Sequence, residues 1–236
     1  HVRGDQKLFE GVPELVVQTR AAEERRDPAE PGPARLLHRP RRILLLFQNP
    51  DELRPTGGFL GAVALVDVRN GRAESFELPS GGSYDISGMT RLRVLPPDPL
   101  RLVTETWQFH DANWFPDFPT TAQKLRWFLE ASNGPTVDAV VAINAPILED
   151  VLSLTGPVAI GDQMVGASEI LTMLTNTVES SAARASGTPK AIIAELAPIL
   201  LDRLTALSTT DNSTVRIALI DRFLRALEER DILLTF

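Results

Sequence analysis

R-I-L-L-L-F-Q-N-P-D-E-L-R-P-T-G-G-F-L-G-A-V-A-L-V-D-V-R-N-G-R-A-E-S-F-E-L, from Arg42 to Leu78, is the stretch that decides the fold. Ile43 to Phe47 are apolar without interruption. A run this short and this continuous predicts a strand over Arg42–Gln48 that is covered on both faces. Phe59–Val68 predicts a second strand, and Ala73–Leu78 a third. Between them lies Asn70–Gly71, the dipeptide that a tight antiparallel hairpin favours. An antiparallel hairpin beside a doubly covered strand points to a mixed sheet.

Outward from this stretch the pattern alternates. Toward the N-terminus, Gly4–Glu24 carries Leu8, Val12, Leu15 and Val16 at helical spacing, with Pro13 as a break. Arg26–Pro40 is rich in proline and reads as a linker. Toward the C-terminus, Pro79–Gly88 reads as a Gly/Ser loop and Leu100–Phe109 as a short helix. A helix capped by Thr120 or Thr121 runs to Ser132. Val137–Ile143 is a strand, Ala145–Leu154 a helix, and Gly156–Val165 a small β-turn element around Gly161–Asp162. Ser168 and Glu169 open a helix to Ser180. Thr188–Pro189 starts another to Leu207, with Pro198 inside it, and Asp211–Ser213 caps a last helix to Arg230. Ile232–Phe236 closes as a strand. The expectation is a three-layer α/β/α sandwich with a mixed central sheet. It would form a single domain over 41–236, preceded over 1–40 by a helix and a Pro-rich linker.

Composition narrows the function. The chain has 236 residues and a formal net charge of −7, with 24 Lys+Arg against 31 Asp+Glu. Nucleic-acid binding that neutralises phosphates is not expected of an acidic chain. Cysteine is absent, which excludes a thiolate nucleophile, a disulfide framework and an iron–sulfur cluster. No apolar run reaches the roughly 18–20 residues that cross a bilayer. The chain begins at His1, so a native start carrying a membrane anchor is expected upstream.

Standard chemical motifs are missing. There is no phosphate-binding G-x-x-x-x-G-K-[ST] or G-x-G-x-x-G and no G-x-S-x-G elbow. His1, His38 and His110 lack metal-ligand spacing. His110 beside Asp111 is either a base with its orienting group or a loop turn. Three loops stay in view. Asp51-Glu52-Leu53-Arg54-Pro55-Thr56-Gly57-Gly58 follows a strand, where α/β sheets place ligands. Its carboxylates and Arg54 would hold a cation and an anion, or form a local ion-paired turn. Ser80, Gly81 and Gly82 would make an anion-binding nest, or a plain hairpin exit. Asp111-Ala112-Asn113-Trp114-Phe115-Pro116-Asp117-Phe118-Pro119 offers aromatics for an apolar groove or for the core. Arg184 and Lys190 lie near a helix start, where phosphate would bind, or belong to a solvated loop.

F-Q-N-P-D-E-L-R-P-T-G-G-F-L-G, D-A-N-W-F-P-D-F-P-T-T-A-Q, V-D-A-V-V-A-I-N and L-T-G-P-V resemble a bacterial envelope family known as domain of unknown function 4012. The resemblance runs from Arg42 to Phe236. It implies a domain outside the cytoplasmic membrane, held by an N-terminal helix. The order of strands and loops is also similar to the LytR–CpsA–Psr family. That similarity implies an apolar tunnel and transfer of glycopolymers from a polyprenyl pyrophosphate, with Mg²⁺, acidic residues and arginines. The carry-over is incomplete. The first metal-binding Asp of that family falls near Asn49, two places from Asp51. The second falls in Gly58-Phe59-Leu60-Gly61, which has no carboxylate. The Arg of its P-R-D motif is replaced by Ser80. Its Arg-rich segment falls at Arg184 to Lys190.

Three functions are therefore expected in order. The first is a binding module for an apolar or lipid-linked envelope molecule, with Arg54 and Lys190 near a charged head. The second is a transferase or phosphatase acting on lipid-linked glycans, in which Asp51, Glu52 and Asp85 hold Mg²⁺ and Arg54 stabilises phosphate charge. The third is an assembly role in which these loops only fix the fold.

Overall fold

The computed structural model describes residues 40–90, 92–179 and 191–236, all within the unit His38–Phe236. Strand β1 spans Arg41–Asn49, β2 Phe59–Arg69 and β3 Arg72–Glu77. Asn70 and Gly71 join β2 to β3 with φ of 52° and 74°, the two positive values of a type I′ turn. Helix α1 (Ser83–Met89) follows, then two 3₁₀ turns, Asp98–Leu102 and Phe109–Asp111. Helix α2 (Phe118–Ala131) leads to β4 (Ala139–Asn144) and α3 (Ile147–Thr155). A two-stranded ribbon, β5 (Val158–Ile160) with β6 (Gln163–Val165), precedes α4 (Ile170–Glu179). Helices α5 (Ala191–Ser208) and α6 (Ser213–Glu228) and strand β7 (Ile232–Thr235) complete the order.

The sheet order is β3-β2-β1-β4-β7. β1 is antiparallel to β2 and parallel to β4, and β7 returns antiparallel on β4. This is the expected mixed sheet. One face carries Leu44, Leu46, Leu60, Val63, Val140 and Ala142, packed under Phe109, Phe118, Leu125 and Phe128. The other face lies under the apolar sides of α3, α4 and α5, which share their own cluster with β5 and β6. Helices thus flank both faces.

Three local expectations need correction. Pro79–Gly88 is not all loop, because α1 forms there. Ser83 is fully buried and its hydroxyl donates to the Leu60 carbonyl, so a tertiary contact starts the helix. Leu100–Phe109 is not one helix. The backbone N–H of Trp107 instead donates to the Val94 carbonyl at 2.8 Å, between the two 3₁₀ turns. The cap of α2 is Asp117, which accepts from the Thr120 amide at 2.9 Å, ahead of the expected threonines. Pro198 lies inside α5 as expected. The expected N-terminal helix, the Pro-rich linker up to residue 39 and the Thr188–Pro189 helix start lie outside the described residues.

Candidate functional site

The loop from Asn49 to Gly58 is built from its own backbone. Glu52 N–H donates to the Asn49 carbonyl (3.3 Å), Gly57 N–H to that of Arg54 (2.9 Å) and Phe59 N–H to that of Glu52 (2.9 Å). Beneath it lies a buried amide network. Gln48 Nε2 and Asn113 Nδ2 both donate to Thr56 Oγ1, at 2.8 and 3.1 Å, and Asn113 Nδ2 also reaches the Gly58 carbonyl at 2.7 Å. A Cβ on Gly58 would fall 2.2 Å from the Asn49 carbonyl oxygen. Gly57 has φ of +128°, and a Cβ there would meet Asn144 Oδ1 at 2.9 Å. The glycine pair, Thr56 and Asn113 are therefore structural in this geometry: they let the loop close onto the strand ends.

Arg54 leaves this loop for a second cluster. Its guanidinium is 5.1 Å from the Phe59 ring centre and 3.6 Å from Asp111 Oδ1. His110 Nε2 is 3.3 Å from Asp111 Oδ2, and His110 Nδ1 is 3.0 Å from Ser87 Oγ. Tyr84 stacks on His110 with ring centres 4.6 Å apart. Burial acts to raise the Asp111 pKa. The hydrogen bond and charge of His110, together with Arg54, outweigh it and hold the carboxyl below its ordinary value. Burial, then the charges of Glu52 and Asp111, raise the Tyr84 hydroxyl.

Other expected site residues are spread apart. Asp51 and Glu52 are exposed. The amide of Gly81 donates to Asp85 Oδ2 at 2.8 Å, and that of Gly82 to the Pro79 carbonyl at 2.9 Å. The turn at exposed Ser80 thus directs both amides inward. Gly82, with φ of +66°, lies against the Gly61 carbonyl. Trp114 packs at the margin of the core, and Asp117 is the helix cap. Arg184 and Lys190 lie outside the described residues. A Mg²⁺ ion needs hard oxygen ligands that converge. Asp85 is tied to Gly81 and Asp111 to His110 and Arg54. Among the described residues no three of His, Asp or Glu gather in a way that could hold a metal ion. The residues present do not fit the Mg²⁺ centre that the resemblance implies.

A cavity of about 160 Å³ opens between the sheet and α3, α4 and α5. Phe47, Ala62 and Ile143 form its sheet wall, and Leu148, Leu174, Ile193, Leu196 and Leu200 its helical wall. Gln48, Asn49 and Asn144, at the carboxyl ends of the parallel strands β1 and β4, also line it, although the Gln48 and Asn144 side chains alternate onto the sheet face opposite Phe47 and Ile143. Sequence reasoning passed over Gln48 and Asn144, and met Asn49 only as the place where the related family carries a metal-binding Asp. The available signal was the switch from an apolar run to Q-N in one strand and to N in the other. Tyr84, the only tyrosine of the chain, was also passed over.

The profile of the family described as "Protein of unknown function (DUF4012)" matches residues 38–178, more than half of the chain. The chain belongs to the DUF4012 family. No curated protein matches it. Among solved structures, this DUF4012 chain is similar to TagV of B. subtilis, at 15% identity and a TM-score of 0.50, over 84% of this chain and 74% of that one. It is also similar to protein gbs0355 of Streptococcus agalactiae, at 12% identity and a TM-score of 0.52, over 84% and 69%. At these identities the likeness is one of fold, an α/β/α sandwich of the LytR–CpsA–Psr type. Among the described residues of the DUF4012 chain, no helix is long and apolar enough to cross a membrane.

Proposed function

We propose that this DUF4012 domain is a cell-envelope binding module. It takes the apolar part of a lipid or lipid-linked molecule into the cavity between the sheet and helices α3, α4 and α5. Residues 41–236 form the binding domain, outside the cytoplasmic membrane, and 1–40 lead to its tether. Phosphoryl transfer of the LytR–CpsA–Psr kind is not part of this role. The cavity is the observation that carries the reading. Ligand pockets are concave and mostly apolar, and this one has apolar walls and lies at the strand ends where α/β sheets bind ligands. The fold shared with TagV is consistent with an envelope setting. The lack of converging carboxylates among the described residues and the Ser80 replacement support binding without transfer, since that chemistry needs cations on the phosphate oxygens.

Native mass spectrometry of protein purified from a bacterial host, followed by organic extraction and lipid analysis, tests the reading. The expected result is a co-purified lipid that is missing from an Ala197→Phe variant, in which a ring from α5 fills the cavity. A bare sequence mass, together with no uptake of a short-chain amphiphile by the purified protein, overturns it.

A further inference from the structure

We propose that helix α6 is an interface between two copies of this chain, which pair through it as a short, parallel, two-stranded seam. This inference is independent of the cavity and of any ligand.

Helix α6 carries two apolar faces, where a surface helix ordinarily has one. The inner face holds it to the domain. Ala226 is buried, Val215, Ala218 and Leu219 are half-buried, and Arg222 pairs with Asp150 of α3. The outer face is apolar as well. Ile217 is 66% exposed, Ile220 57%, Phe223 45% and Leu224 52%, and half-buried Leu227 continues the row. Ile217, Ile220, Leu224 and Leu227 recur after three, four and three residues. That is the a-d-a-d spacing of two heptads, the pattern of a helix that packs along another helix.

The area suits a weak dimer. The four exposed side chains offer on the order of 300–400 Å² of apolar surface, about the largest patch that a monomer usually leaves open. Doubled across a two-fold axis and widened by its charged borders, the stripe comes to about 1,000 Å², the low end of specific interfaces. An association in the micromolar range is expected.

Charge decides the partner and the direction. In this register Arg216 takes a g position, and Asp221 and Glu228 take e positions. In a parallel pair each g residue faces the e residue five places further along the other helix. Arg216 of each copy then meets Asp221 of the other. An antiparallel pair would set Asp221 against its own counterpart and Arg216 toward Arg230, and like charges repel. Asp221 is free to take part: Arg225 holds it through Oδ2 at 2.7 Å, and both side chains of that pair are exposed. A lipid surface is the poorer match. The acidic border of Asp221 and Glu228 would face an anionic headgroup layer.

The test is sedimentation equilibrium of the full chain from about 1 to about 200 μM, a range that brackets a micromolar constant. The expected result is a rise from the chain mass of 25.9 kDa to twice that value. Ile220→Lys is expected to weaken association by about tenfold or more, since an ammonium would be buried without a counter-ion, with unchanged circular dichroism because the position is exposed. Arg216→Asp is expected to weaken it about fivefold through two exposed pairs, and Arg216→Asp combined with Asp221→Arg to restore it. Because the chain has no cysteine, Ile217→Cys carries a single thiol. Mild oxidation is expected to link two copies through it, whereas an antiparallel seam holds those positions roughly 15 Å apart. A single-chain mass at every concentration overturns the proposal, as does a dimer that Ile220→Lys leaves unchanged. A dimer in which Ile217→Cys does not cross-link overturns the parallel seam. A monomer that binds phosphatidylglycerol vesicles, and loses that binding in Ile220→Lys, overturns the proposal in favour of a membrane surface.

Discussion

On one face of the sheet Leu44, Leu46, Leu60, Val63, Val140 and Ala142 are each at most 1% exposed. On the other face Ala62, Ala64, Val66 and Ala139 are buried, but Ile43, Leu45, Phe47, Val141 and Ile143 are only half-buried, and the cavity lies beside Phe47 and Ile143. These residues alternate along the same strands and are equally apolar. The difference comes from what covers them. The filled face meets aromatic rings: Trp107 lies 5.5 Å from Phe128, and Trp127 lies 4.9 Å from it, both edge-on. Such rings interlock and bring large area to few contact points. The open face meets aliphatic side chains from three separate helices, and these leave space between them. One is closely packed and the other keeps an open volume.

The largest effect should come from breaking the filled face. Phe128→Ala should cost about 3–5 kcal/mol, read by urea denaturation. Leu174→Ala on the cavity wall should cost less than about 2 kcal/mol, because it enlarges a space already present and its side chain is only half-buried. Equal losses would remove the distinction between the faces. A second pair sharpens it in the opposite direction. Ala122→Leu, at a fully buried position under the filled face, should destabilise by about 1–3 kcal/mol through overpacking. Ala197→Leu, on the cavity wall, should be within about 0.5 kcal/mol of neutral or should stabilise, because its added carbons enter empty volume.

Acid sensitivity should concentrate in the cluster beside β2. Asp111 has a folded-state pKa below its unfolded value. Its contribution is therefore present above the ordinary carboxylate range of about 4 and is lost as pH falls through the lowered value. Asp111→Asn should flatten the acid limb of the stability–pH curve below about pH 4. An unchanged limb would show that the Arg54–Asp111–His110 contacts contribute nothing to folding. A small stabilising effect is expected at Gly88 in α1, where a Cβ meets nothing within 4 Å. Gly88→Ala should stabilise by about 0.5–1 kcal/mol, measured as a higher thermal midpoint. Gly58→Ala, by contrast, meets backbone at 2.2 Å and should destabilise.

Much of the fold was legible because its signals are local. The run Ile43–Phe47, the Asn70–Gly71 turn and the ribbon around Gly161–Asp162 appear as read. Each depends on neighbours a few residues away. Helix α1 was not legible, because Ser83 bonds to Leu60, which is 23 residues distant. For the site, Arg54 and Asp111 were named with their separate loops, but their pairing across 57 residues was invisible, as was Tyr84 over His110. Asn113 and Gly58 drew attention as motif residues, and only the hydrogen bond between them shows what they do.

By itself the sequence determined which segments are strands, that the central strands are covered on both sides, and which family the chain resembles. Apolar periodicity, turn residues and long motifs are properties of the chain read in order. Only the tertiary structure decided that one face is filled and the other keeps a cavity, and that Gln48, Thr56 and Asn113 form one buried network. The volume left between a sheet and its helices depends on how side chains from distant segments interlock. Two strands with the same apolar pattern carry no record of whether rings or aliphatic chains will meet them.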